Sequence, residues 1–296
     1  MSKQKRRWGD RKDARRIRDL DSMHAFMPYL LPNRTDNEAV LTDYADVKAL
    51  EEYIAKKNAD SPEFKYTIFH AVLAALAKTI YLRPKMNYFY QGHRLYERND
   101  ILFAFTAKRK FEDSSEEALA LLKIDKESDL SPMDQIYGKV KAFVTKIRKK
   151  GETDGATDII SVLCKLPRFL IKFVVGTLRT LDYYGLMPQA LASEDPYSST
   201  VYVSNLGSIK STASYHHLAN WGTNSLFVII GEIKMMPVCD KEGNLEAKKV
   251  IPLGITVDER IADGFYFAKS FKIFKHLLEN PELLDRPLQE EIDFKV

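Results

Sequence analysis

Three segments decide the fold: TVYVSNLG at residues 200–207, LFVIIGEIKMM at 226–236 and AKKVIPLGITVDERIADG at 247–264. Each carries a run of β-branched, aromatic and aliphatic residues, the composition of a buried strand. The patterns predict strands over 200–204, 226–236 and 247–257. The second and third join through Asp240–Asn244 (DKEGN), whose Gly and Asn suit a turn. Two of these strands end on residues able to do chemistry. The first runs into Ser204-Asn205-Leu206-Gly207. The last runs into Asp258-Glu259-Arg260-Ile261-Ala262-Asp263-Gly264 and then into a helix predicted over 264–280, closed by Pro281. Taken singly, a Ser-Asn at a strand end reads as a turn, and an Asp-Gly before a helix reads as a cap.

Upstream, EAVLTDY at 38–44 alternates and predicts a strand. Residues 46–58 follow with helical spacing, Val47, Leu50, Tyr53 and Ile54 sharing a face and Asp46 standing as N-cap. Residues 66–82 are apolar almost all round, which predicts a central buried helix. His70 on it reads as a hydrogen-bonded core residue, and Arg83-Pro84 stops it. A hairpin is expected from 86–91 and 94–97 around Gly92-His93, then a strand at 100–110. Residues 131–150 predict an amphipathic helix capped at Gly151, and 151–157 a connection.

The stretch 159–190 is long and apolar but interrupted by Lys165, Arg168, Lys172 and Arg179. No uncharged piece approaches the about 20 residues of a spanning helix. On one continuous helix the four cations form a basic stripe, with Phe169, Phe173, Leu178 and Leu181 elsewhere on the surface. Two readings stay open: a packed helix with one solvated face, or an interfacial helix making weak contact with a membrane surface. Strands and helices mix without a regular βαβ series, so the fold class is α/β (α+β), a two-layer sandwich with a mixed sheet rather than a dinucleotide-binding fold. No Gly-rich phosphate loop occurs.

Composition narrows the function classes. The 296 residues are 45% hydrophobic and 29% charged, the balance of a globular chain. The net charge of +4 is uneven: residues 1–18 carry +7, from nine Lys/Arg against Asp10 and Asp13, which leaves −3 for the rest. The basic character is that of an arm, taken as 1–29, so specific nucleic-acid binding is not expected. Cys164 and Cys239 are too few for a disulfide framework or a four-thiolate metal site, and they fit a cytoplasmic location. The six His are scattered, and no metal site is expected.

The order of these segments resembles the chloramphenicol acetyltransferase-like superfamily, and within it the catalytic domain of the dihydrolipoamide acyltransferases of 2-oxo acid dehydrogenase complexes. Val203–Gly207 is similar to that domain's SNLG strand end, Leu226–Gly231 to its long strand, and Asp258–Gly264 (DERIADG) to its DHRxxDG signature. Arg83-Pro84-Lys85-Met86-Asn87 fits its Pro-x-x-Asn turn. The resemblance implies one acyltransferase-like domain over 30–296, with a helical insert at about 151–197. It implies a homotrimer with the active site between subunits, and coenzyme A or acyl-CoA as co-substrate to a small-molecule acceptor. It also implies roles: a base at the position of Glu259, Ser204 donating to the oxyanion, Asp263 holding local structure, and Asn205 and Gly207 beside the bound cofactor. About 30 residues before the match leave no room for a lipoyl domain, so no lipoyl attachment is expected.

At the base position this chain departs from the pattern, with Glu259 in place of histidine. An ordinary Glu titrates near ~4.3 against ~6.5 for His and ~8.5 for a thiol, so a glutamate base needs burial to strengthen it. Arg260, if turned towards it, opposes that. His216 and His217, in SYHHLANWGTNS, are alternative bases. The function expected is acyl transfer from acyl-CoA to a thiol, hydroxyl or amine. The alternative is a catalytically degenerate relative that acts as a binding or scaffold protein.

Overall fold

The computed structural model describes residues 7–108, 117–149, 155–239 and 242–294. The chain order is β1 (Ala14–Arg16), α1 (Ser22–Leu30), β2 (Glu38–Asp46), α2 (Lys48–Lys57), α3 (Ile68–Leu82), β3 (Tyr88–Gln91), β4 (Arg94–Arg98), β5 (Ile101–Lys108) and β6 (Glu117–Ile124). It continues with α4 (Pro132–Lys149), α5 (Gly155–Leu163), α6 (Arg168–Tyr183), α7 (Gln189–Ala192), β7 (Val201–Asn205), β8 (Leu226–Ile230), β9 (Lys234–Cys239), β10 (Leu245–Asp258) and α8 (Gly264–Glu279).

The main sheet is mixed and runs β2-β10-β8-β7-β5-β6, with β9 added to β10. β7 lies parallel to both β8 and β5, and the other pairs are antiparallel. One face carries the helices. There α3, buried from His70 to Ile80, is flanked by α4 and α8, and its Leu73, Leu76 and Ile80 join Phe103, Val201, Val203, Val228 and Ile255 in the principal core. Alternation along the strands sends Ala104, Tyr202, Phe227 and Ile229 to the opposite face, where Leu218 completes a smaller cluster. This is the expected two-layer mixed-sheet sandwich. A second sheet, β1-β4-β3, sits beside it.

Local expectations are corrected at three points. The strand read over 226–236 is two strands: β8 pairs with Leu253–Val257 and β9 with Leu245–Val250 of the long β10. The break falls opposite Pro252, which has no N–H for the ladder, while the amide of Glu232 turns to the carbonyl of Ser211. The single helix read over 159–190 is α5 and α6, interrupted at Pro167, which starts α6. Lys165 therefore falls in the connecting turn, and the basic stripe reduces to Arg168, Lys172 and Arg179. Val47 rather than Asp46 occupies the cap position of α2, though the Asp46 carboxylate does accept the amide of Lys48 at 2.9 Å. The basic arm lies against the body from Arg11 onward: β1 pairs with β4, Arg11 reaches Asp182 at 2.7 Å and Arg15 reaches Glu97, while Arg18 pairs with Asp10 inside the arm. Gly151 and part of the 240–244 turn lie outside the described residues.

His70 is buried, and its Nδ1 accepts the amide of Thr67 at 3.0 Å in a capping box that starts α3. Burial pushes its pKa down to about 4. No helix among the described residues is long and apolar enough to cross a membrane, and no cluster of three or more potential metal ligands occurs among them.

Candidate active site

Val201 and Val203 face the helices, so Ser204, like Tyr202, falls on the opposite face of the sheet. Its hydroxyl is half-buried and has no hydrogen-bond partner among the described residues. Asn205 ends the strand, and its side-chain oxygen accepts the amide of Ser208 at 3.3 Å, capping a short turn over Leu206–Ile209. A Cβ on Gly207 would lie 2.6 Å from the carbonyl oxygen of Gly231, so this turn sits directly on the end of β8. The Ser204 end is thus fixed by backbone-to-backbone packing.

The chain then crosses the open face of the sheet. A Cβ on Gly254 would lie 1.9 Å from the carbonyl oxygen of Ser214, so the crossing segment rests on β10. Further along, Tyr215 bonds Thr42, His216 stacks on Phe227 with ring centres 4.3 Å apart, and the amide of Leu218 reaches the Glu38 carboxylate. His216 and His217 are both exposed, and Nδ1 of His216 lies 2.8 Å from the carbonyl of His217.

The end of β10 is built around a buried charge. Asp258 is fully buried and accepts Nε and Nη2 of Arg260 at 2.8 and 2.7 Å. Arg260 also donates to the carbonyls of Leu31 and Pro32. Its guanidinium therefore faces Asp258 rather than Glu259, because the 3-10 turn over Glu259–Ile261 puts the two side chains on different sides. Glu259 is exposed and makes no hydrogen bond or ion pair among the described residues. Asp263 caps α8 by accepting the amide of Tyr266 at 2.8 Å, and that bond holds its carboxyl below the usual range.

The register places the two motif ends far apart. Ser204 pairs with Ile229, and Ile229 pairs with Gly254. Glu259 follows Gly254 by five positions, just past the end of β10 and about 17 Å along the strand direction, with two strand spacings of about 4.8 Å between β7 and β10. One copy of the chain does not bring Ser204 and Glu259 together. His216 lies about midway, since Phe227 pairs with Tyr202 on one side and Thr256 on the other.

Arg34 escaped the sequence reading. It is buried, with Nη1 on the carbonyl of Ala219 at 2.6 Å, Nη2 on those of Tyr90 and Gly222, and Nε 3.7 Å from Asp258. Burial pushes its guanidinium below the ordinary arginine range, and Asp258 opposes that. Among local signals, Arg34 in PNRTDN reads only as a loop residue. Arg34, Arg260, Tyr90, His93, Tyr183 and Asn220 help line a pocket of about 160 Å³ beside the Glu259 turn. That is small against the about 300–1,000 Å³ of pockets for drug-sized ligands, and smaller than an acyl-CoA needs.

Residues 186–285 match the family described as 2-oxoacid dehydrogenases acyltransferase (catalytic domain). A search of curated proteins returns no match. Among solved structures, a probable dihydrolipoamide acetyltransferase from Listeria monocytogenes 4b F2365 superposes with a TM-score of 0.58 at 15% identity, over 90% of this chain and 95% of that one. A dihydrolipoamide acetyltransferase of Azotobacter vinelandii gives 0.57 at 15% identity, over 90% and 93%. There a serine, a histidine and an asparagine were investigated for a role in the catalytic mechanism. A chloramphenicol acetyltransferase gives 0.53 at 12% identity, over 90% and 98%. The matching family and these neighbours are acyltransferases. The chain has the chloramphenicol acetyltransferase-like fold, and within it residues 186–285 are similar to the acyltransferase catalytic domain of the 2-oxoacid dehydrogenases.

Proposed function

We propose that this chain is an acyltransferase whose active site forms between copies of itself, using acyl-CoA as donor and a small thiol, hydroxyl or amine as acceptor. The observation that carries the reading is the placement of Ser204 and Glu259 at opposite ends of the sheet, after β7 and β10 on either side of β8, each with an unpartnered polar group. A head-to-tail contact that closes into a ring joins one end of each copy to the other end of the next. Such a ring brings Ser204 of one copy towards Glu259 of another, and the resemblance supports a ring of three copies. The arm 1–29 and the insert 151–197 are read as additions to one domain. Cys164 and Cys239, both exposed thiols, fit work in the cytoplasm.

In this reading the base takes the proton from the acceptor, whose heteroatom attacks the thioester carbonyl. The Ser204 hydroxyl donates to the oxyanion that develops. The carbon–sulfur bond then breaks, and the CoA thiolate recovers the proton. Glu259 serves as base once a neighbouring copy covers it and removes its water. Asp263 fixes the turn between Glu259 and α8, and Asn205 and Gly207 shape the floor on which the donor lies.

Acetyl-CoA with a panel of thiol, hydroxyl and amine acceptors, read as release of free CoA, tests the reading. Ser204→Ala and Glu259→Gln are each expected to abolish release, and their mixed, re-assembled oligomers to regain part of it. Failure of the mixture to regain activity would show that the two residues do not share a site across copies. The exposed, unpaired Glu259 also favours a second reading, a binding protein on the same fold. That reading expects acyl-CoA to bind with no CoA released for any acceptor.

A further inference from the structure

The α5–α6 segment is apolar, yet its apolar residues join no core cluster. From Ile159 to Leu181 every residue is exposed or half-exposed. Phe169 is 69% exposed, Phe173 72%, Val162 63% and Ile160 54%. The same span holds Lys165, Arg168, Lys172 and Arg179 with no Asp or Glu, and none of these cations pairs with a described residue. α5 packs against β6, and the C-terminal end of α6 is fastened by side-chain hydrogen bonds. Asp182 receives Arg11 at 2.7 Å and Gln91 at 2.6 Å, and the Tyr183 hydroxyl lies 3.0 Å from His93.

The arrangement around α6 is ordered. At 3.6 residues per turn, Arg168, Lys172 and Arg179 fall within about 40° of one another, and Phe169 and Phe173 form a neighbouring stripe. Ile171, Val175 and Leu178, which are half-buried, lie on the other side. One exposed surface therefore presents two aromatic rings beside three cations.

We infer that the α5–α6 segment docks on a membrane surface that carries anionic lipid. Phe169 and Phe173 enter the boundary between headgroups and acyl chains, and Arg168, Lys172 and Arg179 meet the phosphate and carboxylate headgroups. Charge complementarity selects this partner: the span offers four cations and no acid, and the bilayer offers an apolar layer beneath an anionic one. A two-fold contact with the same segment of a second copy would set these cations against their own copies. The inference is independent of acyl transfer.

Co-sedimentation of the full chain with vesicles tests it, using pure phosphatidylcholine against phosphatidylcholine with about one-third phosphatidylserine. The chain is expected to sediment with the mixed vesicles, to release as salt rises, and to bind pure phosphatidylcholine at least tenfold more weakly. The charge-reversed pair Lys172→Glu with Arg179→Glu, and separately Phe169→Ser with Phe173→Ser, are each expected to weaken binding at least tenfold. Both pairs should keep the native circular dichroism spectrum, thermal midpoint and assembly size, since these positions support no core. Absence of binding to either vesicle, or binding that ignores both pairs, overturns the inference. A smaller assembly for the Phe pair also overturns it, by assigning the surface to another copy of the chain.

Discussion

Arg260 forks onto Asp258, with Nε–Oδ1 at 2.8 Å and Nη2–Oδ2 at 2.7 Å, so the arginine inside the DERIADG segment points away from Glu259. Both partners are buried, and Arg260 also ties the end of β10 to the carbonyls of Leu31 and Pro32. Arg34 Nε also lies 3.7 Å from Asp258, so removing the carboxylate leaves two buried guanidiniums without their counter-charge. Asp258→Asn is therefore expected to lower stability by about 3–5 kcal/mol in chemical unfolding. Arg260→Met, which leaves Asp258 beside Arg34, is expected to cost distinctly less. Equal losses for the two variants would contradict a pairing role.

His70 predicts an acid-sensitive core. Burial holds it down to about 4, against an ordinary value near 6.5. As pH falls below 6.5 the unfolded chain takes up a proton that the folded chain refuses, so unfolding becomes easier. The stabilisation is full above about pH 6.5 and is lost towards pH 4, by up to about 3 kcal/mol. His70→Gln keeps an acceptor for the Thr67 amide but does not titrate. Urea midpoints for this variant are expected to vary much less with pH across that window.

Gly207 predicts a link between packing and the Ser204 end. An added Cβ meets the carbonyl oxygen of Gly231 at 2.6 Å, backbone against backbone, so one of the two must move. Gly207→Ala is expected to cost about 1–3 kcal/mol of stability. Through the displaced turn it should also lower the rate of CoA release at least tenfold. Gly138→Ala, whose added Cβ meets nothing within 4 Å, should leave the rate unchanged. An unaffected rate in Gly207→Ala would separate this turn from the chemistry.

The parts of the fold that could be read from the sequence are those set by local chemistry. β7 and β10 announce themselves by runs of β-branched, aromatic and aliphatic residues and end on residues whose side chains cap the following turns, as Asn205 and Asp258 do. The buried helix α3 is legible because it lacks a polar face. By contrast, β6 (EALALLKI) is made of good helix formers and is a strand only because its register with β5, from Ile101–Ile124 to Lys108–Glu117, places it at the sheet edge. β1 is three residues, ARR, held by pairing with β4, and α1 carries Pro28 inside it. The distance between Ser204 and Glu259 follows from strand order and direction, which no local pattern encodes. Arg34 gains its role from carbonyls and an aspartate brought in from 90, 219, 222 and 258.

The identity of the base separates two arrangements that share Ser204. If Glu259 takes the proton, Glu259→Gln removes the base without changing the size of the side chain. The rate of CoA release should then fall by about 10²–10⁴-fold with the affinity for acyl-CoA kept. His216→Ala and His217→Ala should leave the rate within a few-fold, since His216 stacks on Phe227 about midway between the two motif ends and both rings are exposed. Glu259→His installs a group with an ordinary pKa near ~6.5, and the rate should then rise with pH through that region as the imidazole loses its proton. If instead Glu259→Gln keeps its rate while His216→Ala or His217→Ala loses it, the base belongs to the segment that crosses the sheet. Glu259 would then be an exposed surface carboxylate at the start of α8.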